Sequence, residues 1–242
     1  MDSLGDRMKR YEAVSDIPLT RRLPYVIRLD GKGFHHWTRT VHVAKPFDAA
    51  LHHLMATTMQ TLCQEIQGTV LGYTQSDEIS LILQDYFELA TEPAFDKRVQ
   101  KLVSITASLA TAVFNAAAPA VFPDAPWALF DSRAFVLPRE EVTNYVIWRQ
   151  QDAVRNSIRM AGYAYFSHKA LERLSNNAVQ ERLWQEHGVN WNDYAVWAKR
   201  GSCAVRDPES RHWHIDENIP VFTQDRDYIA QRLEPPITDE TQ

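Results

Sequence analysis

Thr69-Val70-Leu71-Gly72-Tyr73-Thr74-Gln75-Ser76-Asp77-Glu78-Ile79-Ser80-Leu81-Ile82-Leu83-Gln84 is the stretch on which the fold turns. Residues 69–74 and 79–84 read as two strands around the polar tip Gln75 to Glu78, a β-hairpin. A second apolar run, Pro24-Tyr25-Val26-Ile27-Arg28-Leu29-Asp30-Gly31, also ends on a carboxylate. An aspartate closing a buried strand gives up β-propensity and must stay solvated or paired. Two such ends on one sheet make a site for Mg²⁺, which takes one or two carboxylates plus substrate phosphate oxygens. That pattern points to phosphoryl or nucleotidyl transfer.

The rest of the first half follows from this hairpin. Residues 24–30 form the first strand, and a loop runs through Gly31, Gly33 and Lys45-Pro46. From Phe47 to Gln67 the positions Leu51, Leu54, Met55, Met59, Leu62 and Ile66 recur at helical spacing, and Gly68 supplies a stop. Residues 97–117 predict a second, largely buried helix, and Ala128 to Pro138 a closing strand. The order β-α-β-β-α-β predicts an α+β fold on the split-βαβ, ferredoxin-like plan, two helices covering one face of an antiparallel sheet. In that plan the first strand neighbours the hairpin, so Asp30 and Asp77 meet although 47 positions (77 − 30) separate them.

A polar helical arm, about Asp2 to Asp16, precedes this unit. Beyond Pro138 the pattern predicts a long helix over about 140–166 and a second over about 169–187, interrupted by Ser175-Asn176-Asn177. The tail from Trp191 mixes tryptophans with charges. The chain therefore divides into a catalytic domain over 1–138, arm included, and a helical, mixed region over 139–242 packed upon it.

Composition narrows the function. Of 242 residues, 45% are hydrophobic, enough for a proper core, whereas only 8 are glycine, which argues against a glycine-rich phosphate loop. A net charge of −5 means that any nucleic acid must bind through local basic patches. Cys63 and Cys203 fit neither a disulfide framework nor a zinc ribbon and suit a reducing compartment. The charged start is no signal peptide, and no stretch approaches the length of a membrane span. The expectation is a cytoplasmic protein with no membrane contact.

Each candidate residue has a plainer reading beside the functional one. Asp30 and Asp77 alone would serve as turn residues. Ser76, Asp77 and Glu78 together at one tip between apolar strands favour a metal site, where two Mg²⁺ ions clamp the attacking and leaving oxygens. Arg28, Lys32, His35 and Lys45 surround the first carboxylate in sequence. The backbone of Gly31, Lys32, Gly33 and Phe34 can wrap a triphosphate while Lys45 supplies a point charge; otherwise this is a polar surface loop. Trp148-Arg149-Gln150-Gln151-Asp152-Ala153-Val154-Arg155-Asn156-Ser157 packs two arginines, an aspartate and several amides into under three helical turns. Its plainer reading is a solvated face with i,i+3 and i,i+4 pairs. The histidines, His212 and His214 included, lack zinc-site spacing. Ser76 has no histidine arranged as a base, which disfavours a Ser-His-Asp hydrolase.

Taken together, Arg28-Leu29-Asp30-Gly31-Lys32-Gly33-Phe34-His35, Ala44-Lys45-Pro46, Gly72-Tyr73-Thr74-Gln75-Ser76-Asp77-Glu78 and Trp148-Arg149-Gln150-Gln151-Asp152 resemble the tRNA-His guanylyltransferase family. The likeness is strongest to its shorter bacterial, archaeal and phage-like members, the 3′→5′ polymerases, and runs from about Leu4 to about Val205. The resemblance implies a fold like the palm of polymerases and nucleotidyl cyclases. It also implies addition of nucleotides to a tRNA 5′ end, activated by ATP or carrying a triphosphate, with GTP or another NTP as the incoming substrate.

Carried over by residue, Asp30, the Gly31 carbonyl and Asp77 would hold two Mg²⁺ ions, with Asp30 and Asp77 catalytic. Asp30, Gly31, Lys32, Gly33, Phe34, His35, Lys45, Ser76 and Asp77 would contact the nucleotide. Arg28, Glu78, Arg149, Asp152, Arg155 and Asn156 are candidates for RNA or triphosphate contact. A homotetramer with tRNA bridging its protomers is also implied.

One departure bears on substrate choice. Eukaryotic relatives carry His-Ile-Asn-Asn where this chain has Val154-Arg155-Asn156-Ser157, so only Asn156 survives. Members with this variant look like template-dependent enzymes that rebuild truncated tRNA 5′ ends. The alternatives are addition of one extra guanosine to tRNA-His, a palm-fold nucleotidyl cyclase, and a non-catalytic RNA- or nucleotide-binding module.

Overall fold

The computed structural model describes residues 2–234. In chain order its helices and strands are α1 (Leu4–Ala13), β1 (Tyr25–Lys32), α2 (Phe34–Thr40), α3 (Ala49–Glu65), β2 (Thr69–Gln75), β3 (Glu78–Leu83), α4 (Val99–Ala117), β4 (Leu129–Val136) and α5 (Arg139–Tyr165). There follow α6 (His168–Leu171), α7 (Asn176–His187), α8 (Val196–Arg200), β5 (Ser202–Arg206), β6 (Trp213–Asp216) and α9 (Asp227–Ala230). The six strands form one sheet in the order β4-β1-β3-β2-β5-β6, and every neighbouring pair is antiparallel.

Strand alternation sorts the residues of β1 and β3 between two cores. Tyr25, Ile27, Leu29, Ile79, Leu81 and Leu83 pack with Leu54, Met55, Met59 and Leu62 of α3 and with Leu102, Ala110 and Phe114 of α4. Val26 and Ile82 point the other way, with Leu71 and Tyr73, into a second core built on Val142, Tyr145 and Val146 of α5. Both faces are covered, which is why β3 is buried along its whole length. Gly72 is required by close approach: a Cβ there would lie 2.6 Å from the Cys63 sulfur of α3. Cys63 and Cys203 are both buried free thiols.

The predicted β-α-β-β-α-β series is present within a residue or two at each boundary. Three expectations are corrected. The loop after Gly31 contains a helix, α2, whose Phe34 and Trp37 enter the aromatic part of the first core. The tail contributes two strands: β5 pairs with β2, Tyr73 lying opposite Cys203, and β6 pairs with β5. Residues 99–120, with mean hydropathy 1.4, are long and apolar enough to cross a membrane, although the sequence reading found no stretch of that length. Here α4 lies on the sheet and buries Leu102, Thr106, Ala110 and Phe114, one residue per turn.

Candidate active site

Asp30 stands near the end of β1, directly opposite Glu78 on β3 and Asp131 on β4. Asp77 occupies the two-residue turn between β2 and β3, beside Ser76 in the left-handed region at φ 51°. A non-glycine residue is strained in that region, and such strain gathers at functional sites. Ser76 Oγ donates to the Asp77 carboxylate at 3.1 Å. The Gly31 N–H donates to the Asp77 carbonyl at 3.0 Å, joining the two carboxylate-bearing segments. Gly31 cannot be replaced freely, because a Cβ would fall 2.1 Å from the Phe34 ring.

The two carboxylates differ in their surroundings. Burial pushes the Asp77 carboxyl above its usual range, and the nearby charge of Asp30 adds to the shift. Asp30 is held through one oxygen, Oδ2, by Arg133 at 2.9 Å and Arg28 at 3.4 Å, and the two arginines face each other across β1 and β4. Glu78 is buried and pairs with Arg149 at 2.7 Å; burial raises its carboxyl and Arg149 opposes the rise. Arg149 Nη2 lies 3.5 Å from Asp152, which also accepts from Arg155 at 2.8 Å and Asn156 at 3.3 Å. Acid and base thus alternate from Asp131 through Arg133, Asp30 and Arg28, and again from Glu78 through Arg149 and Asp152 to Arg155.

The Ser76-Asp77 turn borders a cavity of about 680 Å³. Phe34, His35, Lys45, Ser76 and Asp77 from the sequence reading all line it. Arg39, His42, Tyr163 and His168, which the sequence reading missed, line it too. Arg39 and Lys45 oppose the single carboxylate Asp77, and three histidines add polar rings, so the wall suits an anionic ligand. Lys45 is placed by Asp48, which caps α3 through the Leu51 N–H at 3.0 Å and holds the Ala44 N–H at 2.8 Å. Gly33, at φ 66°, turns the chain into α2.

Not every candidate faces this cavity. The Phe34 ring is buried and stacks on Trp37 with centroids 5.4 Å apart, so its free surface is small. Asp30, Gly31, Lys32 and Gly33 are outside the cavity wall, Lys32 and Gly33 being exposed. Arg149 is buried inside its ion pairs, not presented to solvent. Asn156 lines a smaller adjoining pocket with Ser76, Pro46 and Asp48. Arg133 carried no signal in sequence, because only the register of β4 against β1 brings it to Asp30.

The donor set fits Mg²⁺. A buried carboxylate whose proton affinity is raised by burial and by the neighbouring Asp30 charge is relieved by a bound cation. No group of three or more His, Cys, Asp or Glu able to hold a metal occurs among the described residues. A two-carboxylate site leaves positions for phosphate oxygens and water, as Mg²⁺ requires and a closed zinc site does not.

Paired carboxylates on neighbouring segments of an antiparallel sheet, beside a basic cavity, define a nucleotidyltransferase-type site. The tRNAHis guanylyltransferase family pattern matches residues 5–138. The tRNA(His) guanylyltransferase of Schizosaccharomyces pombe is 30% identical over 96% of this chain and 92% of its own. A bacterial tRNA(His) guanylyltransferase-like protein solved with ATP is 46% identical, covers 95% of this chain and 99% of its own, and superposes with a TM-score of 0.91. Another such bacterial structure, with GTP, is 42% identical over 96% of this chain and 99% of its own, with a TM-score of 0.83. The chain belongs to the tRNA-His guanylyltransferase family, on its bacterial-like side, and is a nucleotidyltransferase.

Proposed function

We propose that this chain is an Mg²⁺-dependent, template-directed 3′→5′ nucleotidyltransferase that restores tRNA 5′ ends. The observation that carries the reading is the Asp30–Asp77 pair, joined through the Gly31–Asp77 backbone bond and set beside the basic cavity. Binding of ATP and GTP by the two bacterial relatives supports nucleotides as its ligands. The β-α-β-β-α-β unit of residues 1–138 acts as a polymerase-like palm, with residues 139–242 as its helical and mixed extension. The same reading makes the protein a homotetramer across which tRNA lies.

In this mechanism Asp30, the Gly31 carbonyl and Asp77 would hold two Mg²⁺ ions, which would supply charge neutralisation at the attacking and leaving oxygens. Lys45 and Arg39 attract the triphosphate, and His35 and the Ser76 hydroxyl offer further polar contacts on the cavity wall. Of the 31–34 loop, Phe34 reaches the cavity wall, so the loop meets the phosphates at the cavity's edge. Arg133 and Arg28 hold the Asp30 carboxylate in place through its Oδ2.

Template direction rests on Val154. It packs at the edge of the apolar cluster of Ile158, Ala161, Leu171, Val179 and Leu183, and it can neither donate nor accept a hydrogen bond. The polar contact that a histidine would make there is missing, so selection falls to pairing between the incoming base and the opposing acceptor-stem nucleotide. The test offers each NTP to tRNAs lacking one 5′ nucleotide while the opposing base is varied through all four. Addition that follows Watson–Crick pairing is expected. Guanosine added equally well against every base would replace repair with tRNA-His-type guanylylation, and a cyclic product from ATP or GTP alone would indicate a cyclase.

A further inference from the structure

Trp148 is 46% exposed, although it sits on α5 one residue before the buried Arg149. The Arg149 guanidinium lies 3.6 Å from the centre of the Trp148 ring. That guanidinium is itself fixed by Glu78 at 2.7 Å and Asp152 at 3.5 Å. Tyr145 stands edge-on at 6.0 Å, anchored through its hydroxyl to Ser80 at 2.8 Å. One face and one edge of the indole are therefore held by immobile groups, while much of the ring still meets water. An exposed aromatic plane braced in this way loses little freedom when a flat partner stacks on it.

Its position matters as much as its rigidity. Arg28 contacts Asp30 at 3.4 Å and lies 6.0 Å from the Trp148 ring centre, so a single side chain spans the gap between carboxylate and indole. Met160, which lines the nucleotide cavity, is twelve residues further along α5, roughly 18 Å at the helical rise. Trp148 is thus outside the cavity wall. The charges near it, Arg28, Arg133, Arg149 and Arg155 against Asp30, Asp131, Glu78 and Asp152, balance, so attraction there comes from stacking.

We infer that Trp148 is a stacking platform for a nucleobase of the RNA acceptor end, holding the strand beside Asp30 while the incoming nucleotide occupies the cavity. The inference rests on the reading of this chain as an enzyme acting on RNA. Unpaired RNA bases stack readily on aromatic rings.

The test compares the full-length wild type with Trp148→Leu and Trp148→Phe, using a tRNA that lacks its 5′ nucleotide as the probe. Four quantities are read: RNA affinity, KM for GTP, melting temperature, and quenching of tryptophan fluorescence by RNA. Trp148→Leu should weaken RNA binding about tenfold, leave the KM for GTP within about twofold, and melt close to wild type. Trp148→Phe should recover most of the RNA affinity and lose part of the quench. Unchanged RNA binding by Trp148→Leu, or a loss confined to the KM for GTP, would overturn the inference. Wild-type extension of the same tRNA separates the two claims. Extension by a Trp148→Leu variant with normal affinity sinks the platform alone, whereas RNA binding without any wild-type extension sinks the enzymatic reading alone. Absence of RNA binding by the wild type overturns both.

Discussion

The Gly31 amide donates to the Asp77 carbonyl across 3.0 Å, so the residue after one carboxylate is bonded to the backbone of the other. The active-site geometry is therefore set by backbone as much as by side chains. Gly31→Ala should disturb it, since the added Cβ meets a Phe34 ring wedged among Trp37, Phe114 and Phe130. Overpacking of this kind costs about 1–3 kcal/mol. Urea denaturation should show that loss together with reduced nucleotide addition, whereas an unchanged midpoint would mean that the Phe34 ring moves freely.

Asp77 makes a prediction with a definite sign. Its folded-state pKa is raised, by burial first and by Asp30 second, above the ordinary value of 3.8. Its contribution to stability is therefore fully present below the unfolded pKa and lost as pH rises through the folded one. Asp77→Asn should melt higher than wild type at neutral pH without divalent cation, and the difference should shrink toward about pH 4. Added Mg²⁺ should then stabilise the wild type and leave the Asn variant unmoved. Equal stabilisation of both by Mg²⁺ would count against Asp77 as a ligand.

The Glu78–Arg149 pair ties the hairpin to α5, with both side chains under a tenth exposed. Removing one partner leaves a buried charge uncompensated, which costs about 3–5 kcal/mol. Arg149→Met and Glu78→Gln should each destabilise strongly, and the double variant should lose much less than their sum in a double-mutant cycle. Strict additivity would show that the two residues act independently.

Arg155 differs from Arg149 in being half-exposed. Arg155→Glu should weaken tRNA binding uniformly across sequences and reduce the salt slope by about one or more, with little change in melting. An unchanged slope would remove Arg155 from the RNA surface.

These contrasts show what the sequence could carry. The β-α-β-β-α-β order was legible because Leu51 to Ile66 keep helical spacing, Gly68 ends that run, and Ser76-Asp77 breaks two apolar strands. Helix α2 was hidden because only Phe34 and Trp37 mark its buried side amid histidines and threonines. Strands β5 and β6 have five and four residues, too few for a period-2 signal to stand out. The Trp148–Asn156 segment was legible as chemically unusual, but its arginines could not be sorted. Arg149 turns inward to Glu78 and Arg155 outward, a distinction fixed only when α5 docks on the sheet. Arg133 depended wholly on strand register.

The most direct measurement is 5′ extension of a tRNA lacking its first nucleotide by wild type, Asp30→Ala and Asp77→Ala, with Mg²⁺ present and melting curves recorded on the same preparations. The wild type should add the template-matched nucleotide. Each variant should lose activity by orders of magnitude while retaining a cooperative fold, because in the proposed mechanism the carboxylate pair binds cation at the expense of mutual repulsion. Near-normal extension by Asp77→Ala with its fold intact would contradict the account.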